Sequence, residues 1–273
     1  MTEPQTRAPR AAVPSLPARA RDVLTFEWTK LRSVRSTHWS LLIAAIFAIG
    51  YSAVAAVVYT TTPRPTGAAA ATVNPLLVSF AGLLYAVLAV GVLGVLSFSS
   101  EYATGLIRTT FAAVPRRLAV LAAKAAVTGT VALTAGELLS FASFFLAQAI
   151  LSGHRLGISL SRPGVPGAVL AAGFLLFVCA MVGLGLGTII RHTAGAVAAL
   201  FGLIYLPAIL YISLPPPWNA RIGRFTLTIS GTQVIALHPH NGLFSPAVSM
   251  LVIITWTAAT LLAAALLITR RDA

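Results

Sequence analysis

Few residues in this chain could do chemistry, and they fall in three places. The stretch SSEYATGLIRTTFAAVPRR, Ser99 to Arg117, sets Glu101, Arg108, Arg116 and Arg117 between two apolar runs. Those runs, Leu76 to Phe98 and Ala125 to Leu151, carry one charge between them, Glu137. The third place is FEWTKLRSVRSTHW, Phe26 to Trp39, with Glu27, Lys30 and Arg32. Acids and bases of this kind can form ion pairs, dock a charged partner or, for an acid inside an apolar run, hold a proton or a cation. They do not make a catalytic set. There is no G-x-x-x-x-G-K-[ST] loop, no H-E-x-x-H, no G-x-S-x-G and no C-x-x-C. His238 and His240 lack carboxylate or cysteine neighbours, a poor start for a metal site, so no metal is expected. The single cysteine, Cys179, sits in an apolar run and reads as a small buried hydrophobe. The glycines of GLGLG, Gly183 to Gly187, include a G-x-x-x-G pair deep in an apolar stretch, where small residues let membrane helices approach closely.

The elements that must carry these residues follow from composition. Of the 273 residues, 58% are hydrophobic and 9% charged, and the mean hydropathy is +0.89. Soluble domains are about one quarter charged, so a multi-pass membrane protein is the class that fits. The formal charge of +13 suits cations gathered beside anionic lipid at a cytoplasmic face rather than nucleic-acid binding. A helical span needs about 20 apolar residues. Six windows qualify: Trp39–Tyr59, Leu76–Phe98, Ala125–Leu151, Val165–Ile190, Ala194–Leu214 and Ala247–Ile268. In hydrocarbon only a helix satisfies its own backbone among such segments. With both termini inside, fourteen Lys and Arg residues, Lys124 among them, fall on cytoplasmic segments. Five (Arg64, Arg155, Arg162, Arg221, Arg224) fall outside. That bias orients the chain. Arginine outnumbers lysine 17 to 2, and with abundant alanine this points to a high-G+C bacterial source. Residues 1–19 show no apolar signal-peptide core and read as a disordered cytoplasmic tail, leaving 20–273 as one transmembrane domain.

Three connections stand out. Phe225 to Leu237 is apolar, uncharged and too short to cross, which predicts a re-entrant external segment between the fifth and sixth spans. From Arg21 to Ser33, apolar residues including Val23, Leu24, Trp28 and Leu31 share one side of a basic helix, as in a helix lying in the membrane interface. Glu27 falls inside that apolar stripe. Either it is solvated or paired with Lys30, or it docks on a basic residue elsewhere. Ser99 to Val114 is predicted as one short cytoplasmic helix closed before Pro115. On it Glu101, Gly105, Arg108 and Thr109 share a narrow polar face, with Glu101 and Arg108 about 10 Å apart. Such a ridge suits either a docking surface or a plain interfacial anchor. Glu137 is either a pathway site or a protonated, hydrogen-bonded acid.

The pattern E-x-x-x-G-x-I-R followed by a proline and arginines (Glu101, Gly105, Ile107, Arg108, Pro115, Arg116, Arg117) resembles that of ABC-2 type transporter permeases. The E-W-T-K-L-R run (Glu27, Trp28, Lys30, Arg32) is similar to the interfacial helix of small bacterial members. The resemblance extends from about residue 20 to the end. It implies an all-α, six-span membrane subunit of an exporter, in a bacterial plasma membrane. A homodimer or heterodimer of such permeases would work with separate ATP-binding subunits, which bind the ATP and Mg²⁺. The permease itself would be non-catalytic and hold no cofactor. Glu101, Tyr102, Gly105, Ile107, Arg108 and Phe111 would then belong to the coupling helix that meets the ATPase. Two other functions fit the same spans: a proton-coupled secondary transporter using Glu137, and a membrane anchor or sensory subunit that moves nothing.

Overall fold

A computed structural model describes residues 16–62, 74–114, 116–215, 217–237 and 242–270, and among them there is no strand. The chain starts with α1 (Leu16–Ser33). After a break at Val34, which is extended (φ −82°, ψ 122°), comes α2 (Arg35–Ala45). A π-helical segment (Ile46–Tyr51) and α3 (Ser52–Thr61) continue it. Then follow α4 (Pro75–Ser79), α5 (Leu83–Thr104), α6 (Leu106–Ala113), α7 (Arg117–Ser152), α8 (Val165–Ile190) and α9 (Thr193–Ser213). Short α10 (Trp218–Gly223) and α11 (Leu227–Ile235) lead to α12 (Pro246–Arg270). Six helices are long and apolar enough to cross a membrane: Arg35–Thr61, α5, α7, α8, α9 and α12. The protein is thus all-helical with the make-up of a multi-pass membrane protein. The tail before Leu16, most of the first external connection, and His238 with His240 lie outside the described residues.

α8 is the central helix. Of its apolar stretch 78% is buried, against 22% of the first span, 17% of α9 and 22% of α12. The outer helices keep large apolar side chains such as Trp39, Phe201, Ile212 and Leu262 exposed, as lipid-facing helices do. Close packing of α8 on α5 is what the small residues permit. A Cβ on Gly183 would stand 2.1 Å from the carbonyl oxygen of Gly91, and one on Gly187 2.6 Å from that of Val95. In return, Gly94 approaches the carbonyl of Ala180 so closely that a Cβ there would stand 1.9 Å away. The G-x-x-x-G pair of α8 therefore meets residues with the same four-residue spacing on α5.

Two helices differ from their sequence boundaries. The second span begins at Leu83, not Leu76, and runs on to Thr104. Residues 75–79 form the separate helix α4, capped by Asn74, whose side chain accepts from the Leu76 amide at 2.9 Å. The chain turns at Phe80–Gly82 because Gly82 fits under the first span. A Cβ there would lie 2.0 Å from the Phe47 carbonyl oxygen, and its amide donates to Ser52 Oγ at 3.0 Å. Hydropathy cannot register this break, since Phe80, Ala81 and Gly82 are themselves apolar. The third span begins at Arg117, two turns before Ala125. Arg117 and Lys124, assigned to a polar connection by their charge, both lie on the helix. The Arg117 guanidinium donates to the Ile268 carbonyl at 3.2 Å and lies 5.2 Å from the centre of the Phe111 ring.

A Gly183→Val variant must push α5 and α8 apart, whereas Gly202→Ala on α9 meets nothing within 4 Å. Overpacking of this kind costs about 1–3 kcal/mol or more. Thermal unfolding of the purified protein in detergent should show a clear drop for Gly183→Val and none for Gly202→Ala.

Candidate functional site at the basic end of the bundle

The end of α5, the helix α6, the start of α7 and the end of α12 converge with α1 at one end of the molecule. Ile107 of α6 is buried in a cluster with Phe98, Leu121, Leu184, Ala264 and Ile268. This end gathers Lys30, Arg108, Arg117, Lys124, Arg191 and Arg270.

At its centre is a buried ionic cluster. Lys124, 1% exposed, donates from one ammonium group to two carboxylates: Glu27 Oε2 at 2.8 Å and Glu101 Oε1. Lys30 reaches the same Oε1 of Glu101 from the other side. Glu101 is fully buried and Glu27 is 5% exposed. The arrangement follows from helical periodicity, which places residues three or four apart on one face. α1 supplies Glu27 and Lys30. α5 supplies Ser97 and Glu101. α7 supplies Lys124 and Thr128, whose Oγ1 donates to Ser97 Oγ at 3.1 Å. Three helices thus each offer an adjacent polar pair, and the charges sum to zero. The two lysines are the only lysines in the sequence. An ammonium with three donors in a tetrahedral fan can serve carboxylates arriving from different helices, which the flat fork of arginine does less well.

The remaining oxygens, Glu27 Oε1 and Glu101 Oε2, are buried without a hydrogen-bond partner among the described residues. A cavity of about 40 Å³ lies beside Glu27, its polar lining Lys30, Ser36, Thr37, Ser97, Ser100 and Thr128 among several aliphatic side chains. Its size and polar lining suit an ordered water.

The structure replaces the single helix expected over Ser99–Val114 with two. Gly105 takes a left-handed conformation (φ 73°), closes α5 through its amide to the Tyr102 carbonyl, and opens α6. Glycine adopts this conformation without a steric cost, so it commonly ends helices. The break separates Glu101 and Arg108, which share no ridge: Glu101 points into the protein, and Arg108 and Thr109 are exposed on α6. Of the two roles open for Glu27, the structure selects docking on a distant base. Glu27 is the buried residue of the described α1 side chains, while Phe26, Trp28 and Arg32 face outward. Lys124, counted from sequence as a loop cation, is the residue that sequence reasoning missed. The one signal the sequence offers is that Lys30 and Lys124 are the only lysines in an arginine-rich chain.

The flanking residues bind the cluster to its surroundings. Tyr102 is half-buried beneath Arg191, the guanidinium 5.1 Å from the ring centre, and its ring packs 5.7 Å from that of Phe98. Phe111 packs beside Arg117. Glu137 lies elsewhere, midway along α7. There Gly136 and Gly173 bring α7 and α8 together, and the Glu137 carboxyl rests against Gly173. Its Oε2 is buried without a hydrogen-bond partner among the described residues. No group of three or more His, Cys, Asp or Glu side chains that could hold a metal occurs among the described residues.

No protein-family model and no curated protein matches this sequence. Functional inference therefore stands on these residues and their geometry.

Removing one partner from a buried ion pair strands the other and costs about 3–5 kcal/mol. Lys124→Met should lower the unfolding midpoint accordingly. Adding Glu27→Gln to that variant should recover most of the loss, because Lys30 still pairs with Glu101 and the remaining charges of the cluster again sum to zero. Lys124→Met unfolding like the parent in detergent would refute the cluster.

Proposed function

We propose that this chain is the membrane-spanning subunit of an ABC-2 type exporter. It would work as a dimer of permeases and be driven by a separate ATP-binding subunit that holds the ATP and Mg²⁺. The observation that carries the proposal is α6, a short helix at the basic end. It is hinged at Gly105 next to the buried Glu101 and held down by Ile107, with Arg108 and Thr109 left exposed. In this reading α6 is the coupling helix. Its exposed residues meet the ATPase, and Tyr102, Ile107 and Phe111 carry displacement into α5, α7 and α12. The excess of cations at this end supports a cytoplasmic position for it and for both termini, in a bacterial plasma membrane.

α1 then lies in the inner membrane interface, turning Phe26 and Trp28 to lipid and Glu27 to the protein. α11 is the re-entrant external segment. Its Gly231 packs on Leu175, ten residues into α8, about 15 Å along that helix. α11 also leaves Leu227, Gly231 and Ile235 buried, unlike a surface loop. ATP-driven closure at α6 would shift α5 and α7 together, since Lys124 and Glu101 join them, and α1 through Glu27.

A proton-coupled transporter is the second reading, favoured by one observation: the partnerless buried oxygen of Glu137 inside a span.

Two substitutions separate these readings. Arg108 is exposed, so Arg108→Glu should leave insertion and unfolding temperature unchanged. Co-purification with the ATP-binding subunit encoded nearby, or stimulation of its ATPase, should fall about tenfold. Unchanged coupling would sink the assignment of α6. Glu137→Gln should leave ATP-driven transport intact; abolition of transport, with proton-gradient dependence in the parent, would favour the second reading.

A further inference from the structure

Irregular backbone at membrane depth persists only where it is buried in protein or lines a cavity, and discontinuous helices build binding sites in membrane proteins. Two such irregularities face each other here. One is the π-helical segment of the first span, ending at Tyr51; the other is the turn at Phe80–Gly82 between α4 and α5. Between them, and closed by α8, α9 and α11, lies a cavity of about 360 Å³. That volume falls within the range of small-molecule sites, about 300–1,000 Å³.

The walls are almost wholly apolar. Leu84, Leu175, Ile204, Leu227 and Ile235 supply aliphatic surface, and Tyr51 and Tyr85 meet edge to face with ring centres 4.8 Å apart. No charged residue lines the cavity. Its polar groups are the hydroxyls of Tyr51 and Tyr85, the thiol of Cys179 and, on α11, Thr228 and Thr232. Each threonine has committed its hydroxyl proton to a helix carbonyl: Thr228 Oγ1 donates to Ile204 O at 2.5 Å and Thr232 Oγ1 to Ile229 O at 2.8 Å. What remains to them is acceptor capacity. A ligand head that donates a hydrogen bond matches that chemistry. An ionised carboxylate would meet no cation there and would lose its hydration without a compensating charge.

We propose that this cavity binds the alkyl chain of a neutral single-chain amphiphile with a hydroxyl head, such as a long-chain alcohol, taken up from the surrounding bilayer. The chain lies against the aliphatic walls and the hydroxyl donates to a threonine of α11. The site is complete in this chain and needs no ATP-binding subunit.

The test uses the purified full-length chain alone in lipid nanodiscs, with a long-chain alcohol carrying a mid-chain diazirine as the probe. After irradiation, peptide mapping should place saturable labels on the start of α5, on Leu175–Cys179 of α8 and on α11. Unlabelled alcohol should compete at least about tenfold better than the matching fatty carboxylate, because the carboxylate enters uncompensated. Thr232 is exposed at the cavity edge, so Thr232→Trp should abolish saturable labelling. Leu251→Trp on the exposed side of α12 should leave it unchanged. If Thr232→Trp elutes as misfolded protein, Leu84→Phe, at a partly exposed wall residue, replaces it with the same expected loss. Non-saturable labels spread over the exposed sides of α2, α9 and α12 would mean bulk lipid contact only and overturn the site. Equal competition by the carboxylate would overturn the neutral-head assignment. Because the ATPase is absent throughout, neither result bears on the role of α6.

Discussion

The buried ammonium of Lys124 is the constraint around which the basic end of this protein is built. A charge taken from water costs several kcal/mol even after relaxation, and only opposite charge with good hydrogen bonds offsets it. Lys124 is placed two turns inside α7, where it meets no bulk water. It can stay charged there only if carboxylates are brought to it, and no residue of its own helix supplies one nearby. Glu101 comes from the last turn of α5 and Glu27 from α1, so the ionic requirement of one residue fixes the docking of two other helices. Apolar packing alone would hold α1 less specifically, since its apolar side chains are as well placed in lipid as on protein. The directional bonds to Glu27 and Lys30 decide which face of α1 turns inward.

The rest of the bundle rests on contact rather than charge. In lipid, apolar burial does not drive one helix onto another, so association depends on how closely backbones approach. The α5–α8 contact meets this with Gly183 and Gly187 of α8 against Gly91 and Val95 of α5, and with Gly94 against Ala180; α7–α8 repeats it at Gly136 and Gly173. Ser140 and Ser143 of α7 add bonds to the carbonyls of Val169 and Ala48. The second of these falls in the π-helical segment of the first span. α8 therefore serves as a post on which α5, α7, α9, α11 and α12 pack, while the first span rests on α5 and α7.

Much of this was legible in the sequence. The six apolar windows are the six long helices, because hydrophobic length is a direct demand of the bilayer. The Gly183–Gly187 spacing announced a close helix contact for the same reason. Breaks within apolar sequence were not legible: Gly82 turns the chain because a carbonyl of another helix lies 2.0 Å from where its Cβ would be, a tertiary fact. Gly105 was treated as an interior helix residue, although a glycine followed by a fresh apolar stripe is equally a helix end. The largest miss was Lys124, because a cation at the edge of an apolar run ordinarily marks the membrane boundary. Only the partners Glu27 and Glu101, 97 and 23 residues away along the chain, show that it lies inside.

The position of Gly105 relative to that cluster bears on how force could pass through this end. α5 is anchored up to Glu101 by Lys124 and Lys30, and one turn later the helix stops. α6 is therefore not a rigid extension of α5; its direction is set by Ile107 in the cluster with Leu121 and Ile268, and by Phe111 beside Arg117. A load on the exposed side of α6 would enter α7 and α12 through those side chains, as well as α5 through Phe98 in the same cluster. It would also reach α5 and α1 through Lys124, which sits one turn from Leu121 on the same helix. A continuous helix from Ser99 to Val114 would pass the same load straight along α5, and α7 and α1 would receive it only through the ion pairs of Glu101. The glycine break and the buried lysine thus act on the same helix end: the first lets α6 take its own direction, and the second ties α5 to α7.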